Sequence, residues 1–64
     1  MYEVHVYDIF NNVHVFPVDS NDKGREYAKR IITEGLWFVD HGGNEVFYPV
    51  HNIVKVLIKS LKSD

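Results

Sequence analysis

The sequence predicts an α+β fold, an antiparallel sheet of four to five strands with one helix in the order β-β-α-β-β-β. Three observations carry that expectation. Residues 2–10 and 13–18 alternate with period two and are rich in β-branched and aromatic side chains. Gly24, Tyr27, Ala28, Ile31 and Ile32 recur at helical spacing and form one apolar stripe. Asn11-Asn12 and Gly42-Gly43 each divide a pair of alternating segments, as hairpin turns do.

Each element has a local reason. In the first strand Tyr2, Val4 and Val6 point one way, and Glu3, His5, Tyr7 and Ile9 the other. Asn tolerates positive φ, so Asn11-Asn12 suits a two-residue turn that pairs Phe10 with Val13, Ile9 with His14 and Tyr7 with Phe16. Pro17 lacks an N–H and belongs on an edge or at a strand end. Asp19, Ser20 and Asn21 are three candidate N-caps for a helix over residues 22–34, and Gly35 suits the position just past its end. Residues 36–40 and 45–48 form a second hairpin around Gly42-Gly43, pairing Asp40 with Glu45, Val39 with Val46, Phe38 with Phe47 and Trp37 with Tyr48.

The segment 53–61 admits two readings. Val50, Ile53, Val54, Leu57, Ile58 and Leu61 fit a helical stripe with Asn52 as N-cap, which gives the alternative order β-β-α-β-β-α. The β-branched run in residues 53–58 and the short preceding turn favour a strand. Val15-Phe16-Pro17-Val18-Asp19-Ser20 also echoes Phe47-Tyr48-Pro49-Val50-His51-Asn52, and a complete ββα duplication would favour the helix.

The faces point to a partner. The side carrying Val4, Val6, Val13, Val15, Trp37, Val39, Val46 and Tyr48 is the cleaner one and is expected to meet the helix. The other carries His5, Tyr7, Ile9, His14, Phe16, Leu36, Phe38 and Phe47. Five strands make a sheet roughly 24 Å wide, and one helix is about 10–12 Å across. A lone helix leaves the second face bare, and a large bare apolar patch marks an interaction site. Tyr7, Ile9, Phe16, Phe38 and Phe47 are the expected partner-binding residues.

Composition narrows the classes. The 64 residues make one domain, 1–64, with no second core. There is no cysteine, so neither a disulfide nor a thiolate metal site is available, and the chain reads as cytoplasmic. No charged segment leads into an apolar run at the start, so no export signal is expected. The longest apolar run is four residues, too short for a membrane span. Net charge is −2, and the first cation is Lys23. From Gly35 to Asn52 the formal charges are Asp40 and Glu45 alone. This is the opposite of a phosphate-binding pattern.

Candidate chemistry is sparse. In the expected register His5 and His14 stand roughly 13 Å apart, too far for one metal ion. His41 and His51 sit in turns. Asp40 and Glu45 would oppose each other beside a turn, where both are solvated. Asp40-His41 has no nearby nucleophile to complete a triad. Gly42-Gly43 lacks the lysine and following helix of a phosphate loop. No catalytic, cofactor or metal residue is therefore assigned, and no enzyme is expected.

The segment Phe47-Tyr48-Pro49-Val50-His51-Asn52-Ile53 resembles the aromatic-Pro-x-His-x-Ile segment of small uncharacterised bacterial and phage proteins, where it introduces a last strand. It covers seven of the 64 residues. The resemblance implies a phage or mobile-element accessory protein, a class that includes inhibitors of host proteins. The functional expectation is a small protein-binding module that associates with itself and with a host protein. The alternative is a nucleic-acid binder that stacks bases on the aromatic face beside Lys55 and Lys59; the carboxylates on that face argue against it, and the Lys55, Lys59, Lys62 cluster is small enough to be a solvated tail.

Overall fold

The computed structural model describes residues 1–61; Lys62 lies outside them. The fold is α+β, and its element order is the expected β-β-α-β-β-β. The strands are β1 (Tyr2–Asp8), β2 (Val13–Val18), β3 (Leu36–Val39), β4 (Glu45–Tyr48) and β5 (Ile53–Ser60). Helix α1 spans Asn21–Glu34 between β2 and β3, and a 3-10 turn at Val50–Asn52 precedes β5.

All pairings are antiparallel, but the five strands divide into two sheets. One has three strands in the order β2-β1-β5; the other is the two-stranded ribbon β3-β4. A two-stranded ribbon is marginal by itself. It is held because its inner side chains lie on the first sheet: the Phe38 ring sits 5.7 Å from Phe16 and 5.4 Å from His14, and Tyr48 sits 5.0 Å from His14. The ribbon therefore shares with α1 the task of covering the inner face of the three-stranded sheet. This corrects the expectation of one broad sheet under one helix.

Val4, Val6, Ile31 and Leu36 are fully buried, and Phe16, Val18, Tyr27, Phe38, Tyr48, Ile53 and Val56 close around them. Full burial of such side chains is worth about 1.5–3 kcal/mol each. Of the three candidate caps, Ser20 is the one used: its Oγ accepts the Lys23 N–H. The helix ends at Gly35, whose N–H donates to the Ile31 carbonyl.

The register differs from the expected one in both hairpins, for the same physical reason. The turns have three loop residues, not two. Asp8 N–H donates to Asn12 O, Asn11 N–H donates to Asp8 O, and Asn11 has φ 66°. Asp40 N–H donates to Asn44 O, Gly43 N–H donates to Asp40 O, and Gly43 has φ 80°. This is a type I turn followed by a left-handed residue and a bulge. Each aspartate also accepts two loop N–H groups on Oδ1, from Phe10 and Asn12 in one turn and from Gly42 and Asn44 in the other. Tyr7 consequently pairs with Val13 and Val4 with Phe16, while Trp37 pairs with Phe47 and Val39 with Glu45. A slip by an odd number of residues exchanges the faces of one strand. It sends His14, Phe16, Leu36 and Phe38 inward, and Val13, Val15, Trp37 and Val39 outward.

The two hairpins are copies displaced by half the chain. Asp8, Asn12, Pro17 and Val18 recur as Asp40, Asn44, Pro49 and Val50, with identical turn hydrogen bonds. The repeat breaks at the third element, which is α1 in the first half and β5 in the second. The strand reading of the tail holds even though the hairpins repeat.

One stability prediction follows from the helix. A Cβ built on Gly24 meets Ile58 at 3.4 Å and Val18 at 3.5 Å, which is ordinary packing contact. Gly24→Ala is expected to raise stability by about 0.5–1 kcal/mol, read as a higher urea midpoint with unchanged slope. A lowered midpoint would mean that the helix cannot accommodate a methyl group there.

Candidate functional surface

The five residues expected to bind a partner do not share a face. Phe16 and Phe38 lie inside, packed against the buried core. Tyr7 is on the outer face of the three-stranded sheet, half-buried, with the Lys55 ammonium 4.5 Å from its ring centroid. Ile9 is at the tip of the first turn, 51% exposed. Phe47 is on the outer side of the β3-β4 ribbon and 68% exposed. The separation follows from the register: residues expected opposite one another are on opposite sides of their strands.

The ribbon's outer side exposes three large apolar side chains, Trp37, Val39 and Phe47. Trp37 and Phe47 stand directly opposite each other across the two strands, with ring centroids 6.3 Å apart. Trp37 is 50% exposed and Val39 53%. Trp37 and Val39 were expected to face the helix; their outward placement is a second consequence of the slip. The signal that finds them is the Asp-x-x-(Asn/Gly)-Asn spacing, which sets the three-residue turn and hence the register.

Beside this surface lies an open groove of about 610 Å³ between the second half of α1 and the base of the ribbon. Tyr27 and Arg30 form one wall, Trp37, Phe47 and Tyr48 the other, and Pro49 closes the end. Glu34, one turn past Arg30, lies on the same rim. The volume is within the range of ordinary ligand and side-chain pockets.

The polar cluster of the fold sits elsewhere. Asp8 is 3% exposed, and its carboxylate is fully engaged. Oδ1 accepts the Phe10 and Asn12 N–H groups at 2.9 Å each, and Oδ2 accepts His14 Nε2 at 3.2 Å. Burial pushes this carboxyl upward, but the Asn12 N–H, the His14 ring and the Phe10 N–H together outweigh it and hold the acid below the ordinary aspartate range. Asp40, in the equivalent turn, is lowered by the Asn44 N–H against a burial penalty, with help from the Asn44 side chain and the Gly42 N–H. It pairs with Asn44 and not with Glu45, so the expected facing carboxylates do not form. Both aspartates hold their turns through Oδ1, and Asp8 also holds His14 of β2 through Oδ2.

The histidines are likewise dispersed. His5 bonds Glu3 at 3.0 Å on the outer face, while His14 points inward. Among the described residues no three His, Cys, Asp or Glu side chains converge on a common metal position. No helix among them is long and apolar enough to cross a membrane. Compared with known family models, curated proteins and solved structures, the chain matches none.

Proposed function

We propose that the protein is a binding module that associates with a second copy of itself through the β3-β4 ribbon. The observation that carries this reading is the Trp37–Phe47 pair, opposed across the ribbon and each at least half exposed. Two large aromatics side by side on the folded-over ribbon form the kind of anchor that dominates interface energetics. The core supports it from the other side. Among the described residues four hydrophobic side chains are fully buried, while Trp37, Val39 and Phe47 are left to solvent on the ribbon. Burying them against a partner supplies apolar area that a chain this small cannot bury internally.

The charges near the ribbon favour protein over nucleic acid. Glu45 lies on the ribbon, Asp40 at its turn and Glu34 on the groove rim, and among the described residues Arg30 is the cation lining that groove. A polyanion meets net repulsion there. Trp37→Ser is the test. It is expected to weaken association by at least about 2 kcal/mol, roughly thirty-fold in the dissociation constant, with an unchanged far-ultraviolet spectrum. Sedimentation of both forms over a concentration series measures it. A wild-type chain that stays monomeric throughout the series contradicts the reading.

A further inference from the structure

Four strand edges are unpaired among the described residues: the outer edges of β2, β5, β3 and β4. Natural sheets blunt such edges with proline, lysine or a bulge. Three of these four carry such a device. Hydrogen bonding alternates along an antiparallel ladder. From the Asp8–Asn12 bond outward, the N–H positions of Val13, Val15 and residue 17 face the free side of β2, and Pro17 has no N–H to offer. Pro49 takes the same repeat position directly after β4. β5 carries Lys55 and Lys59, and its register against β1 shifts between Tyr7 and Asp8. β3 reads Leu-Trp-Phe-Val, with neither proline nor charge.

The repeat shows what such an edge accepts. Counting from the Asp40–Asn44 bond, Trp37 and Val39 direct their N–H and C=O groups away from β4. Their equivalents half a chain earlier are His5 and Tyr7, which direct theirs at β5 and pair with Leu57 and Lys55. In the first half of the chain this edge is completed by a strand. That strand is β5, the third element of the second half; the third element of the first half is the helix α1, and among the described residues β4 alone is hydrogen-bonded to β3, while β2 faces β3 across a shallow groove lined by Val15 and Val39.

We propose that the β3 edge is completed by β3 of a second copy, antiparallel about a two-fold axis through Phe38. This rests on the self-association reading and places the contact at the ribbon's β3 edge, where Trp37 and Val39 meet the partner and Phe47, on β4, stays outside it. Trp37 then stands opposite the partner's Val39, and Val39 opposite the partner's Trp37. Four main-chain hydrogen bonds form, and two aromatic–β-branched cross-strand pairs flank the axis. Leu36 falls opposite the partner's Asp40, so no like charges oppose each other. The product is a four-stranded sheet in the order β4-β3-β3-β4, closed by symmetry and unable to extend, because Pro49 follows each outer strand. The contact joins two four-residue strands, so it belongs with the small interfaces, and the dimer is concentration-dependent.

Amide hydrogen exchange on the full chain tests this, at two protein concentrations about a hundred-fold apart, with sedimentation run in parallel. At the higher concentration the Trp37 and Val39 amides are expected to slow at least about ten-fold, while the Val13 and Val15 amides on the blunted β2 edge exchange at the same rate in both samples. A dimer by sedimentation whose Trp37 and Val39 amides are unaffected overturns edge pairing and leaves the ribbon's outer face as the contact. A monomer at both concentrations overturns edge pairing and the self-association reading together.

Discussion

Gly35→Ala is expected to abolish most of the folded population. Gly35 has φ 93° and ψ −178°, a conformation open essentially to glycine alone. A Cβ placed there lies 2.5 Å from the Tyr48 carbonyl oxygen and 3.2 Å from the Val50 nitrogen. Both neighbours are main-chain atoms, so no side-chain rotation relieves the overlap. The strain alone costs about 1–3 kcal/mol, and the overlap adds to it. A chain of this size has a total stability of only about 3–10 kcal/mol. Location compounds the cost. Gly35 is the single residue between α1 and β3, and its N–H closes the last helical turn on Ile31. Leu36, next in sequence, is one of the fully buried apolar side chains. Moving Gly35 away from Tyr48 parts β3 from β4 at the base of the ribbon, where Leu36 pairs with Tyr48. Urea unfolding followed by circular dichroism measures the effect; a midpoint within error of wild type would show that the helix-to-ribbon junction is not the constraint described.

The elements were legible because each carries a local signature that needs no tertiary context. Ser20 caps α1, Gly35 ends it, and the β-branched run of residues 53–58 overrides a helical stripe that the same residues satisfy on paper. Register was not legible from the residues that draw the eye. Asn11-Asn12 and Gly42-Gly43 both look like two-residue primed turns, whereas the geometry is decided by Asp8 and Asp40, which collect the loop N–H groups. Because side chains alternate, this small displacement misplaces whole faces. Phe16 and Phe38 moved from the proposed docking surface into the core, and Trp37 and Val39 moved out to replace them. The division into two sheets was hidden for a different reason. Alternation shows that a ribbon has an apolar side, but not whether it covers that side by extending a sheet or by folding over one. Here Phe38 and Tyr48 find His14 and Phe16, so the ribbon folds over. The shortage of cover expected for a single helix is thereby met on the inside and transferred to the ribbon's outer face.

Asp8→Asn is expected to destabilise the chain at neutral pH, and to do so less as the solution is acidified. The wild-type carboxylate offers acceptors to two N–H groups and to His14 Nε2; an amide replaces one accepting oxygen with a donor, leaving the imidazole N–H without its acceptor. Charge-assisted hydrogen bonds to a nearly inaccessible carboxylate are among the stronger local interactions. Their loss reaches the ribbon as well, because His14 is the ring on which both Phe38 and Tyr48 pack. The near-ultraviolet aromatic signal should therefore weaken along with the unfolding midpoint. The pH dependence has a definite sign. A carboxyl whose folded pKa is depressed stabilises the fold above the unfolded pKa of about 4. That contribution fades as pH falls below this value and through the lower folded pKa, where the unfolded chain binds a proton more readily than the folded one. The gap in urea midpoint between wild type and Asp8→Asn should be widest near pH 7 and should narrow below about pH 4. Asp40 is depressed in the same direction, but it is present in both proteins and cancels in the comparison. A gap that stays constant from neutral to acid pH would mean that Asp8 acts through shape alone, and that the charge on its carboxylate does not hold the first turn and the ribbon above it.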